Sequence, residues 1–175
     1  KPSSKQLDLS VAMLSQLATH SDIITQNGID TGNYGVLEGI DEAREMMGYI
    51  LDLPAENVFV GGNSSLNLMH DCISFAYFHG LPQSEKPWKD QQVKFLCPVP
   101  GYDRHFAISE HFGAELVMID MDSNGPNMDQ VEEYIKDPAV KGMWCIPKYS
   151  NPSGITYSDD VVKRMALLNP AAPDF

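Results

Sequence analysis

Three short segments combine residue types that suit chemistry: Gly61-Gly62-Asn63-Ser64-Ser65, Pro100-Gly101-Tyr102-Asp103-Arg104-His105 and Tyr149-Ser150-Asn151-Pro152-Ser153-Gly154. The first offers free backbone N–H groups and two hydroxyls at the opening of an expected helix, which is where anions, phosphate above all, are bound. It has neither the glycine spacing of a dinucleotide fingerprint nor the lysine of a Walker loop. The same residues also suit a tight turn with Ser64 or Ser65 as N-cap. In the second segment Tyr102 can stack on a planar ligand; it suits equally a half-buried aromatic beside a Pro-Gly turn, with Asp103 complementing a helix dipole. In the third, Asn151 is an amide between turn-forming residues that can orient a phenolic oxygen, or it marks an ordinary Asn-Pro turn.

The elements that must position these segments follow from periodicity. Residues 3–18 carry Leu7, Val11, Leu14 and Leu17 at helical spacing, and a polar, glycine-containing stretch over 19–33 follows. Residues 36–51 read as a second amphipathic helix, with Leu37, Ile40, Met47 and Ile50 near one face. After Pro54 short apolar runs alternate with helical stretches: strands over 57–60, 93–97, 115–119 and 142–146, and helices over 64–79, 103–112, 128–136 and 158–168. Such alternation predicts helices packed on a largely parallel sheet. Binding sites on such sheets lie beyond strand C-terminal ends, where all three segments fall. Residues 82–92 read as an ordinary exposed connection, and the last residues do not complete the alternation.

Charge and composition narrow the function classes. A net charge of −12 disfavours nucleic acid and anionic membrane surfaces as partners. Cys72, Cys97 and Cys145 are widely spaced in apolar runs, so neither a disulfide framework nor a metal site is expected. No run approaches the ~18 apolar residues of a membrane helix, and a cytoplasmic location is expected. His70, His79, His105 and His111 lack the i, i+4 partner of a helical metal pair, and the methionines fit helix packing. No GxSxG elbow supports a hydrolase.

Taken in order, GGNSSLN, PGYDRH and PKYSNPSG, with the upstream Asn33-Tyr34-Gly35-Val36-Leu37-Glu38-Gly39-Ile40, resemble the aspartate-aminotransferase-like branch of the fold-type I pyridoxal-phosphate (PLP) enzymes. The resemblance covers nearly the whole chain, and the ordered set is more specific than any member.

It implies an incomplete α/β fold of the PLP-dependent transferase type. Residues 1–32 would form an N-terminal helix and loop, and 33–175 the first part of the large PLP-binding domain. Asn63, Ser64 and Ser65 would hold the PLP phosphate, Tyr102 would stack on the pyridine ring, and Asn151 would hydrogen-bond the phenolic oxygen. Tyr34 would reach the phosphate of a neighbouring subunit in a homodimer, and Gly35 would leave room for substrate. The Schiff-base lysine, the aspartate at the ring nitrogen and the arginine that grips the substrate are expected beyond Phe175. Neither Lys148, which precedes Asn151, nor Asp174, which falls in the connection before the next strand, matches those positions.

The implied activity is amino transfer between a small, aspartate-like amino acid and a 2-oxo acid, the chain itself being without the lysine region and therefore inactive alone. Two alternatives keep the same motifs: a PLP-dependent lyase or decarboxylase, and a non-catalytic regulatory domain of aminotransferase type. A nucleotide-binding domain is disfavoured by the missing phosphate-loop lysine and dinucleotide glycines.

Overall fold

The computed structural model describes residues 3–175; Lys1 and Pro2, with which the expected N-terminal segment opens, lie outside the described residues. The chain divides into two compact units, Lys1–Asn63 and Ser64–Phe175.

In the first unit, helix α1 (Ser4–Leu14) opens with a reciprocal capping box between Ser3 and Gln6. The helix buries no residue, although its apolar spacing is the kind that usually faces a core. Helix α2 (Asp41–Leu51) begins five residues later than the sequence suggests. Gly35, Val36 and Gly39 have φ of 131°, 48° and 96°, which no helix accommodates. A Cβ on Gly39 would stand 2.6 Å from that of Val60. The helix starts where Asp41 and Glu42 place negative charge in its first turn. The expected strand over 57–60 is not formed: the N–H of Val60 donates to the carbonyl of Glu38 at 2.8 Å, and the described residues of its unit include no strand to pair with. Arg44 Nε ties α2 to the carbonyls of Ala55 and Val58 at 3.2 and 3.1 Å. Among the described residues of this unit, only Gly48 and Val58 are buried.

The second unit is a four-stranded sheet in the order β3-β2-β1-β4. Strand β1 (Lys94–Val99) lies centrally and pairs in parallel with both β2 (Glu115–Asp122) and β4 (Val140–Met143). Strand β3 (Gly125–Pro126) folds back antiparallel onto the end of β2, a turn that periodicity did not reveal. Helix α3 (Ser65–His79), helix α4 (Asp103–His111), helix α5 (Met128–Tyr134) and helix α6 (Asp159–Ala166) complete the unit.

Alternation along β1 sends successive side chains to opposite faces, and each face has its own core. Leu96 packs with Ile119, Val131, Val140, Tyr157 and Val161, beneath α5 and α6. Phe95 packs with Ile73, Ala76 and Trp88, on the side of α3. Two sequence expectations fail here for identifiable reasons. Strand β4 begins at Val140 because Lys141, which reads as exposed, is buried opposite Asp174. The connection 82–92 is not simply exposed, since Trp88 is 4% accessible and belongs to the core.

The fold is therefore α/β, with a largely parallel sheet flanked by helices. No helix among the described residues is long and apolar enough to cross a membrane.

Candidate functional site

Parallel strands deliver their C-terminal ends to one edge of the sheet, and the loops leaving β1 and β4 meet there. A cleft at that edge is lined by Gly101, Tyr102 and His105 from one loop and helix start, and by Trp144, Cys145, Ser150 and Asn151 from the other. Met121 at the end of β2 and Tyr157 close it.

The turn that presents Tyr102 requires glycine. A Cβ on Gly101 would lie 2.3 Å from the carbonyl oxygen of Pro98 and 2.5 Å from the Phe106 ring. Tyr102 then sits at the N-cap of α4, its carbonyl accepting the N–H of His105 at 3.0 Å. The Tyr102 and His105 rings meet edge-on, with centroids 5.0 Å apart at 90°. His105 in turn stacks on Trp144 at 5.2 Å and 29°. The indole N–H of Trp144 donates to the hydroxyl of Ser109 at 2.9 Å. Burial lowers the His105 pKa below that of a free imidazole, so the ring is neutral at pH 7.

The loop carrying Asn151 is closed by its own backbone. Ser150 N–H donates to the Ile155 carbonyl at 2.8 Å and Tyr157 N–H to the Pro147 carbonyl at 2.9 Å. Gly154, at φ 72°, makes the return. Ser150 is buried and donates to the carbonyl of Ile146 at 3.3 Å. Burial raises the Tyr157 pKa, opposed by hydrogen bonds with Ser150 and the Ile146 backbone, so this phenol stays protonated under the loop. Cys145 is exposed, and desolvation by the groups around it raises its thiol pKa.

Of the residues singled out from sequence, Tyr102 and Asn151 share this cleft. Ser64 is the N-cap of α3, its hydroxyl accepting the N–H of Asn67 at 3.3 Å, and Ser65 is the first helical residue. The carbonyl of Ser64 takes the N–H of Leu68. The Ser65 and Leu66 N–H groups are left without a helical acceptor, as in any first turn, and are available to an anion. Neither serine lines the cleft. Asn63, Tyr34 and Gly35 belong to the other unit, where Tyr34 is 99% exposed and Gly35 has φ 131°.

Lys148 is exposed and does not line the cleft. Asp174 is 3% accessible and is fully engaged with Lys141, Ser84 and Trp88. Among the described residues, no group of three or more His, Cys, Asp or Glu side chains is placed to hold a metal ion.

Sequence reasoning missed His105, Trp144, Ser150 and Tyr157 as cleft residues. The helical i, i+3 spacing of Tyr102 and His105 was a usable signal, because it sets the two rings on one face of α4. Trp144 carried none, since its place depends on where β4 ends.

At the cleft these residues offer a tyrosine ring and an exposed amide, and α3 offers a helix N-terminus with hydroxyls, the kind of place where anions bind. The family model described as aspartate amino-transferase matches residues 1–175. An aspartate aminotransferase of Corynebacterium glutamicum is 48% identical over 176 residues, covering 100% of this chain and 40% of that protein. The crystal structure of an aspartate transaminase from the same species superposes with a TM-score of 0.92 at 48% identity, covering 100% of this chain and 41% of that one. The α-aminoadipate aminotransferase of Thermus thermophilus, solved with N-(5'-phosphopyridoxyl)-L-leucine, shares the fold at 16% identity, with a TM-score of 0.67 over 94% of this chain and 38% of its own. The chain thus spans about two fifths of the length of the relatives it matches.

Proposed function

The chain belongs to the aspartate aminotransferase family, and from that premise we propose that it is the cofactor-binding part of a PLP-dependent enzyme moving an amino group between a small, aspartate-like amino acid and a 2-oxo acid. The observation that carries the reading is the meeting of Tyr102 and Asn151 in one cleft at the strand exits.

PLP supplies an electron sink for bonds at the substrate Cα when it is bound. The residues of this chain hold and orient it. Tyr102 stacks on the pyridine ring, and the Asn151 amide donates to the phenolic oxygen and favours its ionised form. Asn63, Ser64 and Ser65 receive the phosphate through N–H groups and hydroxyls, helped by the dipole of α3. In this reading residues 1–32 are an N-terminal segment and 33–175 begin the large domain. Tyr34 serves the phosphate of a second copy in a cytoplasmic homodimer, and Gly35 leaves room for the substrate. The lysine that moves the proton at Cα belongs to a downstream segment of the complete enzyme.

The test is an absorbance titration of the complete protein with PLP, together with product analysis using aspartate and 2-oxoglutarate. Tyr102→Ala and Asn151→Ala are each expected to weaken PLP binding roughly tenfold or more, the size of a lost stacking contact or charge-assisted hydrogen bond. Wild-type affinity in both variants would sink the assignment of the cleft. Release of carbon dioxide or ammonia in place of an amino-acid product would turn the reading toward a decarboxylase or lyase.

A further inference from the structure

Beneath the loop that carries Asn151 lies a buried side chain that fastens the loop to the sheet. Tyr157 is 5% accessible and packs in the core with Leu96, Ile119 and Val161. Its ring fills the space over Gly125 in β3, where a Cβ would stand 3.0 Å from Tyr157 Cγ and 3.1 Å from Cδ1. Gly125 itself pairs with Asp122 at the end of β2. The ring is thus seated on the sheet, and the same residue lines the cleft. The N–H of the following residue, Ser158, donates to the Asn124 carbonyl at 2.8 Å and ties the exit of the loop to the β2–β3 turn.

Two backbone bonds, Ser150 N–H to the Ile155 carbonyl at 2.8 Å and Tyr157 N–H to the Pro147 carbonyl at 2.9 Å, run across the loop and set its shape. They do not set its height over the sheet. Ser150, 6% accessible, stands immediately before Asn151 and donates to the Ile146 carbonyl at 3.3 Å. The Tyr157 hydroxyl bonds with the same two groups, the Ser150 side chain and the Ile146 backbone, and these bonds oppose the rise in pKa that burial imposes. Such a phenol combines an apolar body held by the core with a polar tip that reaches the loop. Asn151 is exposed, and its direction is inherited from the residue before it.

We propose that Tyr157 is a positioning residue for the amide: rooted against Gly125, it holds Ser150 and so fixes how Asn151 enters the cleft. This rests on the reading that Asn151 meets the phenolic oxygen of PLP. A phenylalanine at 157 keeps the ring in the core and removes only the link to Ser150.

The test follows the visible absorbance of PLP bound to the complete protein as pH is varied, with thermal unfolding measured in parallel. An amide that donates to the phenolic oxygen favours its ionised form, so loosening the amide moves the midpoint of the absorbance change upward. Asn151→Ala is expected to move it furthest. Tyr157→Phe and Ser150→Ala should each move it by about half to one pH unit and weaken PLP binding roughly two- to tenfold, the size of one lost hydrogen bond. Combined with Asn151→Ala, Tyr157→Phe should move it no further, because both act through one amide.

A midpoint unmoved by Y157F, or by S150A where Y157F does not fold, would overturn the proposal if N151A does move it. Equal shifts from Y157F with and without N151A would overturn positioning of the amide in favour of a general loosening of the site. A midpoint unmoved by N151A, or a wild-type protein with no visible signal in saturating PLP, would refute the reading of the cleft and the proposal with it.

Discussion

Lys141 Nζ lies 2.6 Å from Asp174 Oδ1, with the two side chains 5% and 1% accessible. The other carboxylate oxygen accepts the Ser84 hydroxyl at 2.6 Å and the Trp88 indole N–H at 3.0 Å. The pair thus ties together the start of β4, the connection before β1 and the last residues of the chain. Removing one partner leaves a buried charge without compensation. Asp174→Ala is expected to lower unfolding stability by about 3–5 kcal/mol, while Lys141→Met with Asp174→Leu recovers most of that loss. Urea unfolding of the single and double variants decides, and a double variant no better than the single one would show that the carboxylate matters for more than its charge partner.

The same pair carries a pH signature. Desolvation pushes the Asp174 carboxyl up, but hydrogen bonds from Lys141, Ser84 and Trp88, with the Lys141 charge, outweigh it and hold the group below the ordinary aspartate value. A depressed folded-state pKa means stability that is fully present above the unfolded value and lost as pH falls through the folded one. The stability difference between wild type and Asp174→Asn should therefore be constant near neutrality and shrink below about pH 4. A gap that keeps its neutral size in strong acid would show that protonation of Asp174 is not what the variant mimics.

Gly101 offers a test of how the site is held, separate from what it binds. Its Cβ position is taken by the Pro98 carbonyl and the Phe106 ring, at 2.3 and 2.5 Å. Gly101→Ala must displace either the end of β1 or the start of α4, and Tyr102 moves with both. The expected cost is about 1–3 kcal/mol of stability, as for other overpacked sites, with loss of PLP affinity. Gly113→Ala is a useful contrast, because nothing lies within 4 Å of its Cβ position although its φ is 78°. It should cost stability through backbone strain alone and leave PLP binding unchanged.

The parallel sheet and the cleft it creates were legible because Phe95, Leu96, Val117, Ile119 and their neighbours form short apolar runs between helical periods. Tyr102 and Asn151 were legible because a strand followed by a turn-rich loop already says which sheet edge a residue occupies. What escaped was set by distant partners. Lys141 reads as solvated until Asp174, 33 residues on, is placed beside it. Trp88 reads as part of a loop until Asp174 takes its indole N–H. The start of α2 was misplaced because Leu37 and Ile40 fit a helical stripe, whereas the positive φ of Val36 and Gly39 breaks the backbone there. His105 looked like an isolated helix histidine because the ring it stacks on lies 39 residues away.

Ser64 combines two roles that different substitutions pull apart. Its hydroxyl caps α3 by accepting the N–H of Asn67, and in the proposed function the same hydroxyl meets a phosphate. Alanine removes both: Ser64→Ala should cost about 1 kcal/mol of stability and weaken PLP binding. Aspartate is as good an N-cap and favours the helix dipole, so Ser64→Asp should keep or raise the stability of the second unit. Its carboxylate, however, would stand where the anion belongs and repel it. Ser64→Asp is thus expected to bind PLP more weakly than Ser64→Ala although it is the more stable protein, while pyridoxal without the phosphate should distinguish the two much less. Measured by thermal unfolding and PLP titration, affinities that follow stability in place of charge would mean that Ser64 is only a cap and that the phosphate is held elsewhere.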